Sequence, residues 1–287
     1  MNRWIIGSRP RTLPAAVVPV AMGAVIAVGE GGAVWLRVVA AAVVSLALQV
    51  GVNFANDYSD GVRGTDDVRV GPVRLVASGL ASSRSVKAAA FGAFGAAAVV
   101  GLVLALATSW WLIAVGVASI LAGWFYTGGP KPYGYLGLGE IFVFTFFGLV
   151  ATVGTTYVVL ERIPWESWAL GCSAGFLACA LLVTNNLRDI PNDSLVGKRT
   201  LAVRLGDRRS RTLFGALIIA TFVAVAVVAL ARPGAWCAMA AIPVARRPLV
   251  AVRRGAAGRD LIAVLGATGR LQLAVGATVV IGLAIFS

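Results

Sequence analysis

The chain has 287 residues, of which 59% are hydrophobic and only 13% are charged. This composition excludes an ordinary water-soluble enzyme and indicates one polytopic membrane domain over residues 1–287. The net charge of +13 does not indicate a nucleic-acid partner, because the basic residues lie between apolar segments rather than in one patch. The chain contains no histidine, and its three cysteines lie in apolar segments, so we predict core packing for them and no zinc site.

Nine apolar segments follow one another along the chain. They cover residues 12–29, 34–55, 88–108, 110–126, 138–159, 167–186, 212–231, 235–251 and 270–286. A hydrocarbon core of about 30 Å takes roughly 20 apolar residues as a helix, so we predict an all-α bundle of nine transmembrane helices. The eighth segment is the weakest, since Arg246 and Arg247 interrupt its end. Residues 252–269 fit either a short interfacial helix or a solvated loop.

The basic residues are distributed very unequally between the two sides of the predicted bundle. If the amino terminus is cytoplasmic, all but three of the 25 Lys and Arg residues fall on the cytoplasmic side, the exceptions being Arg37, Arg162 and Arg232. This bias predicts a multi-pass protein of the cell inner membrane with a cytoplasmic amino terminus. The long connections, about 56–87 and 187–211, lie on the same side, so we expect cytoplasmic cap loops and the functional site there.

Half of the twelve acidic residues occupy two short stretches, each at the cytoplasmic end of an apolar segment. The first stretch contains Asp57, Asp60, Asp66 and Asp67, and the second contains Asp189 and Asp193. An ionised carboxylate inside a span costs about 2.5 to 3.5 kcal/mol, so this clustering is unfavourable unless a cation binds there. The alternative is that these residues are solvated loop acids beyond the membrane edge.

Both acidic stretches contain the spacing Asn-x3-Asp, as Asn56/Asp60 and Asn185/Asp189, and Asp193 follows four residues later. Residues four apart share a helix face, so each stretch can direct its oxygen atoms at one spot. Such oxygens suit Mg²⁺, which is typically held by one or two carboxylates plus substrate phosphates. The repeated spacing suggests two related halves beside a shared cavity. Basic residues near both stretches would complete a diphosphate site: Arg63, Arg74, Arg188, Lys198 and Arg199.

A diphosphate beside apolar helices indicates an amphiphilic substrate, and a polyprenyl diphosphate fits best. At these residues the chain resembles the UbiA superfamily of intramembrane aromatic prenyltransferases, and within it the 1,4-dihydroxy-2-naphthoate polyprenyltransferase branch. The resemblance rests on motifs in a fixed order along almost the whole chain: Arg9–Pro14, Asn53–Asp66, Gly71–Arg74, Gly123–Glu140, Asn185–Asp193 with 197–206, and Gly269–Leu271.

The resemblance implies nine helices around a lipid-open central cavity, with the two acidic motifs facing each other under the cap loops. It also implies the reaction. A polyprenyl chain would pass from its diphosphate to 1,4-dihydroxy-2-naphthoate, with loss of diphosphate and CO2, giving demethylmenaquinol in menaquinone biosynthesis. Mg²⁺ would be the cofactor.

Carried over residue by residue, the resemblance makes Asn56, Asp60 and Asp66 the first metal face and Asp189 and Asp193 the second. Asp57 is placed with the metal ligands and Asn53 with the substrate-binding residues, and both would support the first metal face. Gly64 stands where the third acid of the superfamily motif would fall, which leaves the choice between Asp66 and Asp67 open. Pro191 interrupts the second motif and disfavours one regular helix through Asp189 and Asp193.

The loop after the fourth segment supplies two further catalytic candidates beside Asp60 and Asp189. Lys131 would contact the diphosphate, and Tyr126 would border the allylic cation or the aromatic acceptor. The alternative is an interfacial tyrosine and a lysine that only sets topology. Arg188, Lys198 and Arg199 have the same alternative, since they fit a role in setting the membrane topology as well as they fit diphosphate binding. Four phenylalanines either line the prenyl tunnel or pack against helices and lipid: Phe142, Phe144, Phe146 and Phe147.

Three other functions remain as alternatives. Another aromatic acceptor, such as 4-hydroxybenzoate, would keep the same reaction class. A secondary transporter also uses paired halves and intramembrane acids, but its site lies at the bilayer midplane rather than at span ends. A CDP-alcohol phosphotransferase shares an acidic membrane motif, but the later acids of that motif do not follow here.

Overall fold

The computed structural model describes residues 2–32, 34–65 and 71–286, and its main elements in these ranges are ten helices. They are α1 (Arg3–Ser8), α2 (Pro14–Gly29), α3 (Trp35–Val62), α4 (Ser83–Ala107), α5 (Trp111–Phe125), α6 (Gly139–Leu160), α7 (Trp165–Leu195), α8 (Leu201–Ala231), α9 (Pro233–Arg253) and α10 (Asp260–Phe286). No strand occurs within the described ranges, so the all-α prediction is confirmed.

The nine predicted spans correspond in order to α2 through α10. In the described part of the chain seven of these helices have the length and hydropathy of a membrane span. An eighth is obtained if the segment Arg3–Thr12, which begins with α1, is counted together with α2, from which it is bent by 52°. α5 has only 15 residues, or about 22 Å of helix, and is shorter than the hydrocarbon core. The predicted order of helices therefore holds, while the number nine is approximate.

One local expectation is wrong and a second holds only in part. α7 continues through Pro191 to Leu195, so Asp189 and Asp193 lie on one helix. Pro191 removes one backbone donor, and packing of α7 within the bundle offsets this loss. In the segment 252–269, residues 254–259 form a largely exposed turn, as the loop alternative has it, while the part from Asp260 forms the start of α10. Burial of Leu261 against the bundle explains why α10 begins this early.

α7 is the central helix of the bundle. In its apolar segment 72% of the residues are buried, against 28% to 44% for the other long helices. A Cβ atom at Gly148 of α6 would lie 2.5 Å from the Cα atom of Gly175 in α7, so glycine is required for this backbone contact. The close packing fixes α7, and with it the second acidic motif, in the middle of the molecule.

Ion pairs tie the helix ends together on the side opposite the acidic motifs. Arg37 contacts Glu161 at 2.9 Å, and Arg162 contacts Glu30 at 2.5 Å. Arg232 bridges Glu30 and Glu166. These three arginines are the ones that the topology prediction leaves outside, and each is now paired with a glutamate. This end of the bundle therefore carries little net charge.

Tryptophans surround the same end of the bundle. Six of the eight occur at the start of α3, α5, α7 and α9 or in the turn before α5. They are Trp35, Trp110, Trp111, Trp165, Trp168 and Trp236, and each is at least 48% exposed. Tryptophan is enriched at membrane interfaces, so this ring marks one boundary of the hydrocarbon core.

The Glu30 cluster makes stability depend on pH. Hydrogen bonds from Arg232 and Arg162 lower the pKa of the Glu30 carboxyl below its ordinary value of 4.5. A lowered pKa in the folded state stabilises the fold above the unfolded pKa, and this contribution is lost as the pH falls below it. We expect Glu30→Gln to lower the midpoint of thermal unfolding in detergent at about pH 6.5, with a smaller difference from wild type at about pH 3.5.

The control for this measurement is Glu161→Gln. Glu161 also pairs with an arginine, but its side chain is 54% exposed, so its loss should have a smaller effect. A difference between wild type and Glu30→Gln that is equal at both pH values would contradict the role assigned to the carboxylate.

Candidate active site

The carboxyl-terminal ends of α3 and α7 meet at one polar cavity of about 150 Å³. α3 contributes Asn56 and Asp60 to its wall, and α7 contributes Asn185, Asp189 and Asp193. The two stretches with Asn-x3-Asp spacing, 129 residues apart in sequence, therefore present their oxygen atoms to one space. This convergence is what the sequence pattern predicts.

Asp60 is buried and is surrounded by donors from three other segments. The Tyr135 hydroxyl donates a hydrogen bond of 2.7 Å to Asp60 Oδ1. Lys198 Nζ lies 3.4 Å from both carboxylate oxygens, and Arg74 Nη2 lies 3.8 Å from Oδ2. Asp60 is only 2% exposed, so these partners offset the cost of burying its charge.

Tyr135 is a residue that the sequence analysis does not single out. Two cations lie close to its ring, with Lys198 Nζ 4.7 Å and the Arg63 guanidinium 5.3 Å from the ring centroid. Its carbonyl accepts a hydrogen bond of 3.1 Å from the Arg199 amide. Burial and the nearby Asp60 carboxylate raise the pKa of Tyr135 well above its usual value, so the hydroxyl stays protonated as a donor. Tyr135 thus connects the loop before α6 to the ends of α3 and α7.

The second motif carries its own counter-charge. Arg188 binds the Asp189 carboxylate with two hydrogen bonds of 2.7 Å, from Nε and Nη2. Arg188 Nη2 also donates to Asn185 Oδ1 at 2.6 Å. The Arg188 side chain is fully buried, and a paired fork of this kind fixes the orientation of the carboxylate.

Several predicted residues lie at the edge of the cavity or away from it. Asp57 does not line it, because its two oxygens accept hydrogen bonds from the backbone amides of Leu75 and Val76, at 2.8 and 3.0 Å. Asp57 therefore anchors the cap loop to α3, and this placement does not fit a metal ligand. Lys131 is exposed and is not part of the wall. Asp66 and Asp67 lie outside the described residues.

The remaining predicted residues divide into wall and support. Asn53 lines the cavity, and its amide donates to the Ser8 carbonyl at 2.8 Å. Arg74 and Lys198 also line it. Arg63 instead donates to the Thr127 and Gly129 carbonyls. Arg63 and Arg199 therefore hold the loop before α6 and do not themselves form the wall.

An apolar cavity of about 180 Å³ adjoins the polar one, and Val52, Tyr126, Val143 and Phe147 line both. Phe142 and Phe146 also line the apolar cavity, whereas Phe144 contacts Phe176 and faces elsewhere. Tyr126 lies where the two cavities meet, as expected for a residue between a charged head group and an apolar tail. Three of the four candidate phenylalanines thus face the apolar cavity.

The polar cavity has further wall residues that the sequence analysis does not assign: Arg9, Thr12, Gln49 and Asn186. Arg9 and Thr12 belong to the motif Arg9–Pro14, which contributes to the family resemblance but gives neither residue a role in the site. Arg9 also has a positive φ of 52°, which is uncommon for a residue other than glycine. Gln49 gives no local signal, because a single polar residue in an apolar segment is also common in packed membrane helices.

The donor chemistry of the polar cavity fits a hard divalent cation. Its acidic motifs contribute carboxylate and amide oxygens, the ligands that Mg²⁺ prefers. No group of three or more acidic, cysteine or histidine side chains lies close enough to hold a metal ion within the described ranges. Sites for Mg²⁺ that use one or two carboxylates plus substrate phosphates do not require such a group.

The chain is similar to known proteins over almost its whole length. A family model described as the UbiA prenyltransferase family matches residues 16–261. The 1,4-dihydroxy-2-naphthoate octaprenyltransferase of Mycobacterium tuberculosis is 51% identical over 94% of this chain and 93% of that protein. The protein of the same name from Escherichia coli is 35% identical over 78% of this chain and 75% of that protein.

Solved structures share the fold. A UbiA homolog from Archaeoglobus fulgidus, bound to GPP and Mg²⁺, has a TM-score of 0.66 at 14% identity, covering 97% of this chain and 99% of that one. A UbiA homolog from Aeropyrum pernix K1 has a TM-score of 0.68 at 16% identity, covering 98% and 99%. With its helical architecture, its paired acidic motifs and these matches, the chain belongs to the UbiA prenyltransferase family.

Proposed function

We propose that this chain is a Mg²⁺-dependent enzyme that transfers a polyprenyl chain from its diphosphate to 1,4-dihydroxy-2-naphthoate. The observation that carries the proposal is that two acidic motifs and three cations, Arg9, Arg74 and Lys198, line one polar cavity, which adjoins an apolar one at Tyr126. The choice of acceptor is supported by relatives that carry this name at 51% and 35% identity.

The diphosphate is assigned to the polar cavity. Arg74 and Lys198 would bind its oxygens, since both line the wall beside Asp60. Asn56, Asp60, Asp189 and Asp193 would hold Mg²⁺, with Asp66 as a further proposed ligand. When bound, the metal supplies neutralisation of the charge that develops on the leaving diphosphate.

The reaction needs no covalent nucleophile on the enzyme. The allylic C–O bond breaks, and its electron pair leaves with the diphosphate that Arg74 and Lys198 hold. The acceptor carbon that bears the carboxylate then forms the new C–C bond. The pair of electrons in the C–CO2 bond restores the aromatic ring as CO2 leaves. The apolar wall at Val143 and Phe147 excludes water that would otherwise capture the allylic cation.

The acidic motifs are assigned to the cytoplasmic side of a bacterial inner membrane. The bias in Lys and Arg supports this orientation, and pairing of Arg37, Arg162 and Arg232 with glutamates at the other end adds to it. A transporter is disfavoured because the acids lie at helix ends on one side and not at the midplane. The proposed substrates would reach the site from the cytosol and from the lipid.

The test is an assay of the purified protein with 1,4-dihydroxy-2-naphthoate and a labelled polyprenyl diphosphate. We expect a lipid-soluble product and release of CO2, both abolished by a chelator and restored by Mg²⁺. Prenylation of 4-hydroxybenzoate in place of the naphthoate would refute the acceptor. Transport of substrate into vesicles without any product would refute the enzyme.

Loss of either acidic motif should abolish turnover. We expect Asp60→Asn and Asp189→Asn each to lower kcat at least about 100-fold, the scale on which one preorganised charge contributes to a transition state. The matched control is Asp207→Asn, because Asp207 is exposed and pairs only with Arg211 among its described contacts. All three proteins should elute as monodisperse species in detergent. Retained turnover in either motif variant would show that this motif is a solvated loop.

Tyr135→Phe should weaken metal binding, because the hydroxyl orients the Asp60 carboxylate. Removing a hydrogen bond that orients a ligand costs about tenfold or more in metal affinity. The measurement is binding of Mn²⁺ by electron paramagnetic resonance, together with the Mg²⁺ concentration that gives half-maximal turnover. Tyr133→Phe is the control, since the Tyr133 hydroxyl donates to the Ala122 carbonyl at 2.7 Å. Equal metal binding in both variants would remove Tyr135 from the site.

A further inference from the structure

Glu140 is a buried acid that the reaction described above does not use. It lies in the first turn of α6 and is 9% exposed. Its Oε1 accepts a hydrogen bond of 3.1 Å from Asn186 Nδ2, while Oε2 has no hydrogen-bond partner among the described residues. The other buried glutamate of the described chain, Glu166, is paired with Arg232. Glu140 has no such cation, so its main side-chain partner is Asn186.

This hydrogen bond fixes the orientation of Asn186. Asn186 Nδ2 is the donor to the Glu140 carboxyl group, so the NH2 group of Asn186 faces Glu140. The amide oxygen of Asn186 is therefore on the opposite side of the side chain. Because Asn186 lines the polar cavity, this oxygen is presented there as a hydrogen-bond acceptor.

Asn186 lies at the level where the polar cavity becomes apolar. It is three residues before Asp189 on α7, which places it about 4.5 Å deeper along the helix axis. In the same direction the wall of α7 continues with Asn185 and then changes to Leu182 and Leu181. On α3, Asn53 and Gln49 line the polar cavity, and Val52 between them lines both cavities. An aromatic acceptor must meet the allylic carbon at this level, between the diphosphate and the prenyl tail.

We propose that Asn186 binds the aromatic acceptor by accepting a hydrogen bond from a ring hydroxyl, and that Glu140 is the positioning residue that orients Asn186. The inference rests on the proposed function, whose acceptor carries two such hydroxyls. When the hydroxyl is the one on the ring carbon next to the attacking carbon, accepting this hydrogen bond increases the electron density at the carbon that attacks. The same contact selects a hydroxylated ring over one without the hydroxyl, because the buried amide oxygen would otherwise lose its partner.

The test compares the KM values for the two substrates in Asn186→Leu, Glu140→Leu and Glu140→Gln. We expect the two leucine variants to raise the KM for the naphthoate about tenfold, the effect of one lost buried hydrogen bond, with the KM for the polyprenyl diphosphate within about twofold of wild type. Glu140→Gln should recover most of the loss, because the glutamine carbonyl can still accept from Asn186. Glu166→Leu is the matched control, since it removes a buried glutamate at the other end of α7.

A second measurement identifies the group that is bound. In wild type, a mono-O-methyl ether of the naphthoate that blocks the contacting hydroxyl should have a higher KM than the parent compound. In Asn186→Leu this difference should disappear. Equal penalties in both proteins for each mono-O-methyl ether, or a parallel rise of both KM values in Glu140→Leu and Glu166→Leu, would overturn the assignment. Failure of wild type to prenylate the naphthoate would instead overturn the proposed function on which the assignment rests.

Discussion

The burial of carboxylates at the end of the bundle is the constraint on which the site depends. A buried charge is tolerated only when donors or opposite charges surround it. Asp60 meets this condition with Tyr135, Lys198 and Arg74, and Asp189 meets it with Arg188. The partners of Asp60 come from three stretches of the chain outside α3, so satisfying its charge also assembles the cap over the cavity.

The two ends of the molecule differ in how their charged side chains are arranged. At the tryptophan-rich end, glutamates neutralise Arg37, Arg162 and Arg232, and helix ends are bound to one another. At the other end, cations line an open cavity together with acids. The first end therefore stabilises the bundle, while the second retains charge that can respond to an anionic substrate and a divalent metal ion. Central placement of α7 connects them, since Glu166 and Asp193 lie at its two ends.

Sequence patterns predicted the order of the helices and the convergence of the acidic motifs. Both predictions rest on local properties of the sequence, which are hydropathy and the spacing of four residues within each motif. They did not predict the length of α10 or the continuity of α7 through Pro191, because tertiary packing extends both helices. They also grouped Asp57 with Asp60, although Asp57 binds the Leu75 and Val76 amides. Asp57 directly follows the wall residue Asn56 on α3, and consecutive residues of a helix point about 100° apart. The motif alone does not say which of these directions leads to the cavity.

The sequence by itself determined the membrane class, through its composition, and the family, through the resemblance of its motifs. Oxygen ligands at helical spacing indicated the chemical type of the site. Only the tertiary structure decided which cation meets which acid, that Tyr135 holds Asp60, and that Glu140 orients Asn186. The physical reason is separation along the chain. The pattern that predicts a helix involves residues only a few positions apart, whereas these two hydrogen bonds join residues 75 and 46 positions apart. Only packing of the bundle brings such residues together.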